Sequence, residues 1–204
     1  MRLASVYDLK PKFQDLLRPL CGALARGGVT ANDVTIAAAA MSIGEGAAIY
    51  ASGAQRWSLL LLPPVLFARM ALNAIDGMLA RERNQQSRLG AVLNELGDVV
   101  SDTALYLPLA VVPGISPLLL GLVVALAVIT EMTGVVAIQV GSRRRYDGPF
   151  GKSDRALAFG ALAFVLGAGV RAGAWTNIGL VLAALAAVLT VFNRARAALA
   201  SATP

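Results

Sequence analysis

Four carboxylates bracket one short polar stretch of this chain: Asp76 before it, and Glu95, Asp98 and Asp102 after it. Asn73, Asp76 and Ala80 are spaced i, i+3, i+7 and share one helix face. Gly90, Asn94, Asp98 and Asp102 repeat every four residues and share another. The joining stretch, Glu82–Arg88, is short, so the two helices are expected as antiparallel neighbours whose polar faces meet at one end. Carboxylates converging in a low dielectric repel one another and protonate unless a cation compensates. The chain has no His and one Cys, Cys21, so a metal here would take oxygen ligands, which suits Mg2+ or Mn2+. Such an ion would in turn hold phosphates. The competing reading pairs the same acids with Arg69, Arg81, Arg83 or Arg88. Ionisable groups inside membrane helices are rare and functional, and a gathering of several favours the metal reading.

The elements that must position these residues are membrane helices. The 204 residues are 57% hydrophobic with a mean hydropathy of +0.67, too apolar for a soluble domain of this size. Thr103–Thr130 and Ala172–Asn193 contain no Asp, Glu, Lys or Arg, and a bilayer core needs roughly 20 apolar residues per helical span. No segment alternates as barrel strands would. The expected fold is therefore all-α and integral to the membrane, with an N-terminal amphipathic juxtamembrane helix in residues 1–28 and a six-span domain in 29–204. The amphipathic helix, Val6–Arg26, sets Leu9, Phe13, Leu16, Leu17, Leu20 and Leu24 against Lys10, Lys12, Asp15 and Arg18 and would lie on membrane lipids. Thr30 or Asn32 caps the first span. The spans are expected at about Asn32–Ser52, Ser58–Arg81, Gly90–Val112, Ser116–Val140, Ala156–Val170 and Trp175–Asn193, with Pro63–Pro64 early in the second. A basic loop, Gly141–Arg155, precedes the fifth.

The net charge of +6 and pI near 10.1 would suit nucleic acid in a soluble protein. Here loop bias accounts for both, and no nucleic-acid partner is expected. With the N-terminus inside, fifteen of the 18 basic residues fall in cytoplasmic segments and only Arg56 and Arg171 on the opposite face, which places both termini in the cytoplasm. A lone Cys allows no internal disulfide, and the N-terminus shows no removable signal peptide.

The stretch NAIDGMLARERNQQSRLGAVLNELGD, Asn73–Asp98, resembles the signature of the CDP-alcohol phosphotransferases, DxxDGxxAR followed after eight or nine residues by GxxxDxxxD. Asp76, Gly77, Ala80, Arg81, Gly90 and Asp98 match at the right spacing. VTANDVT, Val29–Thr35, resembles the family's opening of the first span, and GKSDR, Gly151–Arg155, is similar to the basic start of the fifth helix in members that use phosphorylated acceptors. Two positions depart from the pattern: Asn73 and Asn94 stand where the first and third aspartates belong. The version NELGDVVSD looks most like a bacterial branch, implying the inner membrane.

The resemblance implies transfer of a phosphatidyl group from CDP-diacylglycerol to a small alcohol or phosphorylated alcohol, with release of CMP, in a protein that forms homodimers. It implies Asp76, Asp98, Asn73 and Asn94 as holders of Mg2+ or Mn2+, with Glu95 and Asp102 as candidates to restore the missing charge, and Asp98 as general base. Gly77, Ala80, Arg81, Gly90, Asn32 and Thr35 would line the nucleotide site. Lys152, Arg155 and Arg143 would meet the acceptor. The substitutions leave a second reading open, a catalytically weak nucleotide- and lipid-binding scaffold. An ion-coupled transporter would show repeats or broken helices near the midplane, whereas these acids hug one interface. An intramembrane prenyltransferase would need two Asp-rich motifs, and one is present.

Overall fold

The computed structural model describes residues 6–201, with side chains from 13 onward. They form seven α-helices: α1 (Val6–Arg26), α2 (Ala31–Ala51), α3 (Arg56–Glu82), α4 (Arg88–Tyr106), α5 (Pro117–Gln139), α6 (Lys152–Gly167) and α7 (Ala174–Ala200). A 3-10 turn, Leu107–Val111, extends α4. No strand occurs among the described residues. Leu9, Lys10 and Lys12, three residues of the expected amphipathic face, lie outside the described side chains.

Four helices, α2, α3, α5 and α7, are long and apolar enough to cross a membrane. The other two expected spans do not reach that standard. α4 carries Arg88, Glu95, Asp98 and Asp102 within 19 residues, and α6 has only 16 residues. Boundaries differ from expectation for local reasons. Pro108 has no N–H to continue the α4 ladder, so the chain tightens into the 3-10 turn. α6 begins at Lys152 rather than Ala156, because the Asp154 carboxylate accepts from the Gly151 N–H at 2.9 Å and closes its first turn. α7 runs on past Asn193 through an Ala-rich tail of good helix formers. Pro63–Pro64 lie about two turns inside α3, and the helix continues through them.

Thr30 caps α2: its Oγ1 accepts from Asp33 N–H, and the Asp33 carboxylate accepts from the Thr30 N–H at 2.9 Å. A further free N–H of that turn, on Ala31, reaches Gln85 Oε1 at 2.8 Å. This ties the α3–α4 connection to the start of α2. α2 packs along both α3 and α4, α3 against α6, and α5 against α7. The α2–α4 crossing is close because Gly46 lies against the Ala104 carbonyl, where any Cβ would collide. The larger apolar cluster spans α2 to α7, with Ile49, Leu62, Leu105, Leu109, Leu120 and Ala163 fully buried and Tyr106 stacked on Phe159. A second cluster gathers Cys21, Ala31, Val34, Ile75, Met78 and Leu79, with Leu17 and Leu24 of α1 packed against it. Leu16 and Leu20 of α1 stay exposed, so α1 is amphipathic with one apolar strip on α3 and another free. The Arg18–Glu82 ion pair, 2.7 Å, secures it.

Candidate active site

The end of the bundle where α3 finishes and α4 begins brings the motif residues together. Asp98 on α4 is the hub. Its Oδ1 accepts from Lys152 Nζ at the start of α6, from Asn73 Nδ2 on α3 at 3.3 Å, and from Arg69 at 3.5 Å. Its Oδ2 takes no donor from the described residues, so three donors orient the carboxylate and leave one oxygen open. Asp76, three residues after Asn73, is buried and accepts from the Thr35 hydroxyl of α2 at 3.0 Å. It lies within electrostatic reach of both Lys152 and Asp98. Asn94, one turn before Asp98, makes no side-chain hydrogen bond among the described residues.

The residues assigned to nucleotide divide. Gly90 faces Asn32, since a Cβ there would lie 2.8 Å from Asn32 Oδ1. With Thr35 three residues after Asn32, about one turn on, the α2–α4 crossing gathers three of the six. Gly77 faces the end of the Arg81 side chain, whose guanidinium is the nearest group a Cβ there would meet, at 3.0 Å. Arg81 itself is exposed. Ala80 packs instead against the apolar cluster shared by α1, α2 and α3.

Behind Asp98 lies a buried ion-pair network that spacing in the sequence does not reveal. Arg69, 3% exposed, reaches Asp102 at 2.5 Å. Arg155, 1% exposed, donates to Asp102 and to Glu131, each at 2.9 Å. Glu131 also takes Arg144 at 3.0 Å and Arg194 at 3.4 Å. Arg144 closes the chain by gripping both oxygens of Glu95, at 2.5 and 2.6 Å. In this loop position burial disfavours the charged guanidinium, and the Glu95 carboxylate outweighs that and pushes the Arg144 pKa up. The neighbouring Arg145 bonds Asp147 at 2.8 Å and holds that loop carboxyl below its ordinary range. Four carboxylates (Glu95, Asp98, Asp102, Glu131) thus pair with five cations (Arg69, Arg144, Lys152, Arg155, Arg194), and a fifth carboxylate, Asp76, is held by the Thr35 hydroxyl. Glu45 lies apart on α2, buried and in no ion pair among the described residues.

Glu95 and Asp102 are therefore turned to basic side chains. Arg155 is spent on the network, and Arg143 is exposed outside it, while its neighbour Arg144 points in. Arg69, Glu131, Arg144 and Arg194 enter the network with no motif to mark them. The signal available was their charge within or beside apolar helices, which demands partners. Among the described residues no three His, Cys, Asp or Glu side chains gather as a metal cage. Asp76 with the Thr35 hydroxyl, and Asp98 with the Asn73 amide, are oxygen-bearing groups of the kind one hard cation takes.

A family model described as CDP-alcohol phosphatidyltransferase matches residues 28–197. The chain is 47% identical over 195 residues to inner membrane protein YnbA of Escherichia coli (strain K12), covering 96% of each. Its fold is similar to crystal structures of Mycobacterium tuberculosis phosphatidylinositol phosphate synthase (PgsA1). The one with CDP-DAG bound gives a TM-score of 0.75 at 23% identity, covering 90% of this chain and 93% of that one. The one in complex with manganese and citrate gives a TM-score of 0.75 at 23% identity, covering 90% and 88%. These two are likenesses of fold.

Proposed function

The chain belongs to the CDP-alcohol phosphatidyltransferase family, and from that membership we propose that it moves a phosphatidyl group from CDP-diacylglycerol to a small alcohol or phosphorylated alcohol, releasing CMP. The observation that carries this reading is the pair Asp76 and Asp98, held on facing helices by Thr35 on one side and by Asn73 and Lys152 on the other. A CDP-DAG complex is known for the M. tuberculosis relative. We place the nucleotide over Gly77, Gly90, Asn32 and Thr35, with Arg81 folding over its phosphates.

In the reaction the acceptor hydroxyl oxygen bonds to the phosphorus bearing the diacylglycerol. The bond from that phosphorus to the bridging oxygen breaks, and CMP leaves with the electron pair. The hydroxyl proton goes to the Asp98 carboxylate, the candidate base. Lys152, about a third exposed beside Asp98, offers its remaining N–H groups to an acceptor phosphate, with Arg143 at the rim. Mg2+ or Mn2+, held by Asp76, Asp98, Asn73 and Asn94, would neutralise diphosphate charge; the manganese complex of the relative supports a divalent ion.

The same reading places the protein in a bacterial inner membrane, as its E. coli relative is described, with six spans and both termini cytoplasmic. A homodimer is the assembly we expect, and light scattering in detergent tests it. The function is tested by supplying purified protein with CDP-diacylglycerol and a panel of polyols and phosphorylated polyols, and following CMP. CMP released with one acceptor class supports the reading. Tight CDP-diacylglycerol binding without CMP from any acceptor would favour the scaffold reading, which the cations already seated on Asp98 Oδ1 recommend as the alternative. No binding would sink both.

A further inference from the structure

Counted with Asp76, which rests on the Thr35 hydroxyl, and without the exposed Arg81 at the rim, the interior cluster around Asp98 holds five carboxylates and five cations and is electrically balanced. A divalent ion added by itself would leave a net charge of two in a half-buried, low-dielectric site, and uncompensated buried charge is strongly unfavourable. The diphosphate of a CDP-linked lipid brings one negative charge on each of its two phosphates. One divalent ion arriving with it restores neutrality, and a second ion upsets it again.

The two asparagines act in the same direction. Asn73 donates its amide N–H to Asp98, where an Asp would repel it and call for another cation. Asn94 likewise adds an oxygen without charge. Lys152 and Arg69 already sit on Asp98 Oδ1, leaving Oδ2 and Asp76 as the charged oxygens an ion can reach. We propose that this site takes a single divalent ion, bound jointly with the nucleotide diphosphate, and that Lys152 stands where other charge would otherwise be needed. The proposal rests on the function inferred above and specifies its metal stoichiometry and order of assembly.

Joint binding is a coupling free energy and is reciprocal: the diphosphate must tighten the ion by the same factor as the ion tightens the diphosphate. The test is Mn2+ binding to the full chain in detergent, read by equilibrium dialysis and electron paramagnetic resonance, with and without CDP-diacylglycerol and no acceptor. The expected result is one Mn2+ per chain with an isolated six-line spectrum, and binding about tenfold or more tighter when the lipid nucleotide is present. Lys152→Gln removes one cation and should tighten Mn2+ in the absence of nucleotide, an effect that a merely structural lysine would not produce. Asn73→Asp with Asn94→Asp should admit a second ion, seen as spin coupling between metals about 4 Å apart. Two coupled ions in the unsubstituted protein, or one ion whose affinity ignores CDP-diacylglycerol, would overturn the proposal, and the unsubstituted protein decides this even if a variant fails to fold. CDP-diacylglycerol binding followed separately tells the two failures apart. Lipid nucleotide bound with no ion refutes the single-ion site, and no lipid nucleotide bound refutes the functional reading beneath it.

Discussion

Three donors on one oxygen of Asp98 make that residue the place where substitution says most. Asp98→Asn keeps the shape and removes the acceptor for a proton, so CMP release should fall by about 100-fold or more, with CDP-diacylglycerol binding retained in part. Gly77 tests the nucleotide side. The nearest group to a side chain there is the end of the exposed Arg81, so Gly77→Leu should leave the fold intact and weaken CDP-diacylglycerol binding. Unchanged binding in a well-folded variant would remove Gly77 from the site. Glu95 is a sharper case. Both its oxygens belong to Arg144, so Glu95→Gln should lower thermal stability by about 1–3 kcal/mol and leave the Mn2+ titration unmoved. A weakened titration would restore Glu95 as a ligand. The sequence made Asp76, Asn73 and Asp98 legible because helical spacing places them on facing stripes. It could not show where Glu95 turns. Glu95 is rotated by about 100° from Asn94, and its partner comes from a loop 49 positions away, a distance no periodic pattern encodes.

At the level of elements, α6 joins the site to the scaffold. Its first turn carries Lys152 to Asp98, Asp154 back to the Gly151 N–H, and Arg155 inward to Asp102 and Glu131. The apolar span alone starts at Ala156 because Gly151–Arg155 is polar, and it is the resemblance of GKSDR that marks this stretch as a helix start; the cap itself becomes visible only once the Asp154 side chain is seen folding back. The consequence is measurable. Arg155→Met leaves Asp102 and Glu131 short of a buried partner and should cost about 3–5 kcal/mol, seen as a lowered unfolding midpoint in detergent. Lys152→Gln should cost far less, since Lys152 is about a third exposed. Equal losses would mean that α6 is held by its apolar face and not by its charges. The six expected helices are all present as elements. The two that fall short as spans do so for different reasons: α4 carries Arg88 and three carboxylates that are ion-paired within the bundle, and α6 is only 16 residues long.

The whole molecule is polarised end to end, and this is where the membrane orientation can be tested. The α2–α3 and α6–α7 connections lie at one end, because a Cβ on Gly169 would lie 2.8 Å from the Arg56 guanidinium. Both tryptophans of the chain, Trp57 and Trp175, sit at that end and are half exposed, as expected of aromatic residues at a membrane interface. The basic residues there are Arg56 and Arg171. The opposite end holds the α3–α4 and α5–α6 connections, the start of α2 and the end of α7, together with most of the remaining basic residues. Positive charge in short loops stays on the cytoplasmic side, so the end that holds Asp76 and Asp98 should face the cytoplasm, where the proposed CDP-linked lipid and soluble acceptor would meet it. Cys21 is 3% exposed and can be replaced by Ser to give a background without thiols. In that background a cysteine at Ala54 should react with a membrane-impermeant maleimide added outside spheroplasts, and a cysteine at Arg143 should react only after lysis. Labelling of position 143 in intact spheroplasts would invert the molecule, put Asp76 and Asp98 on the wrong side for a nucleotide, and remove the functional reading together with the topology.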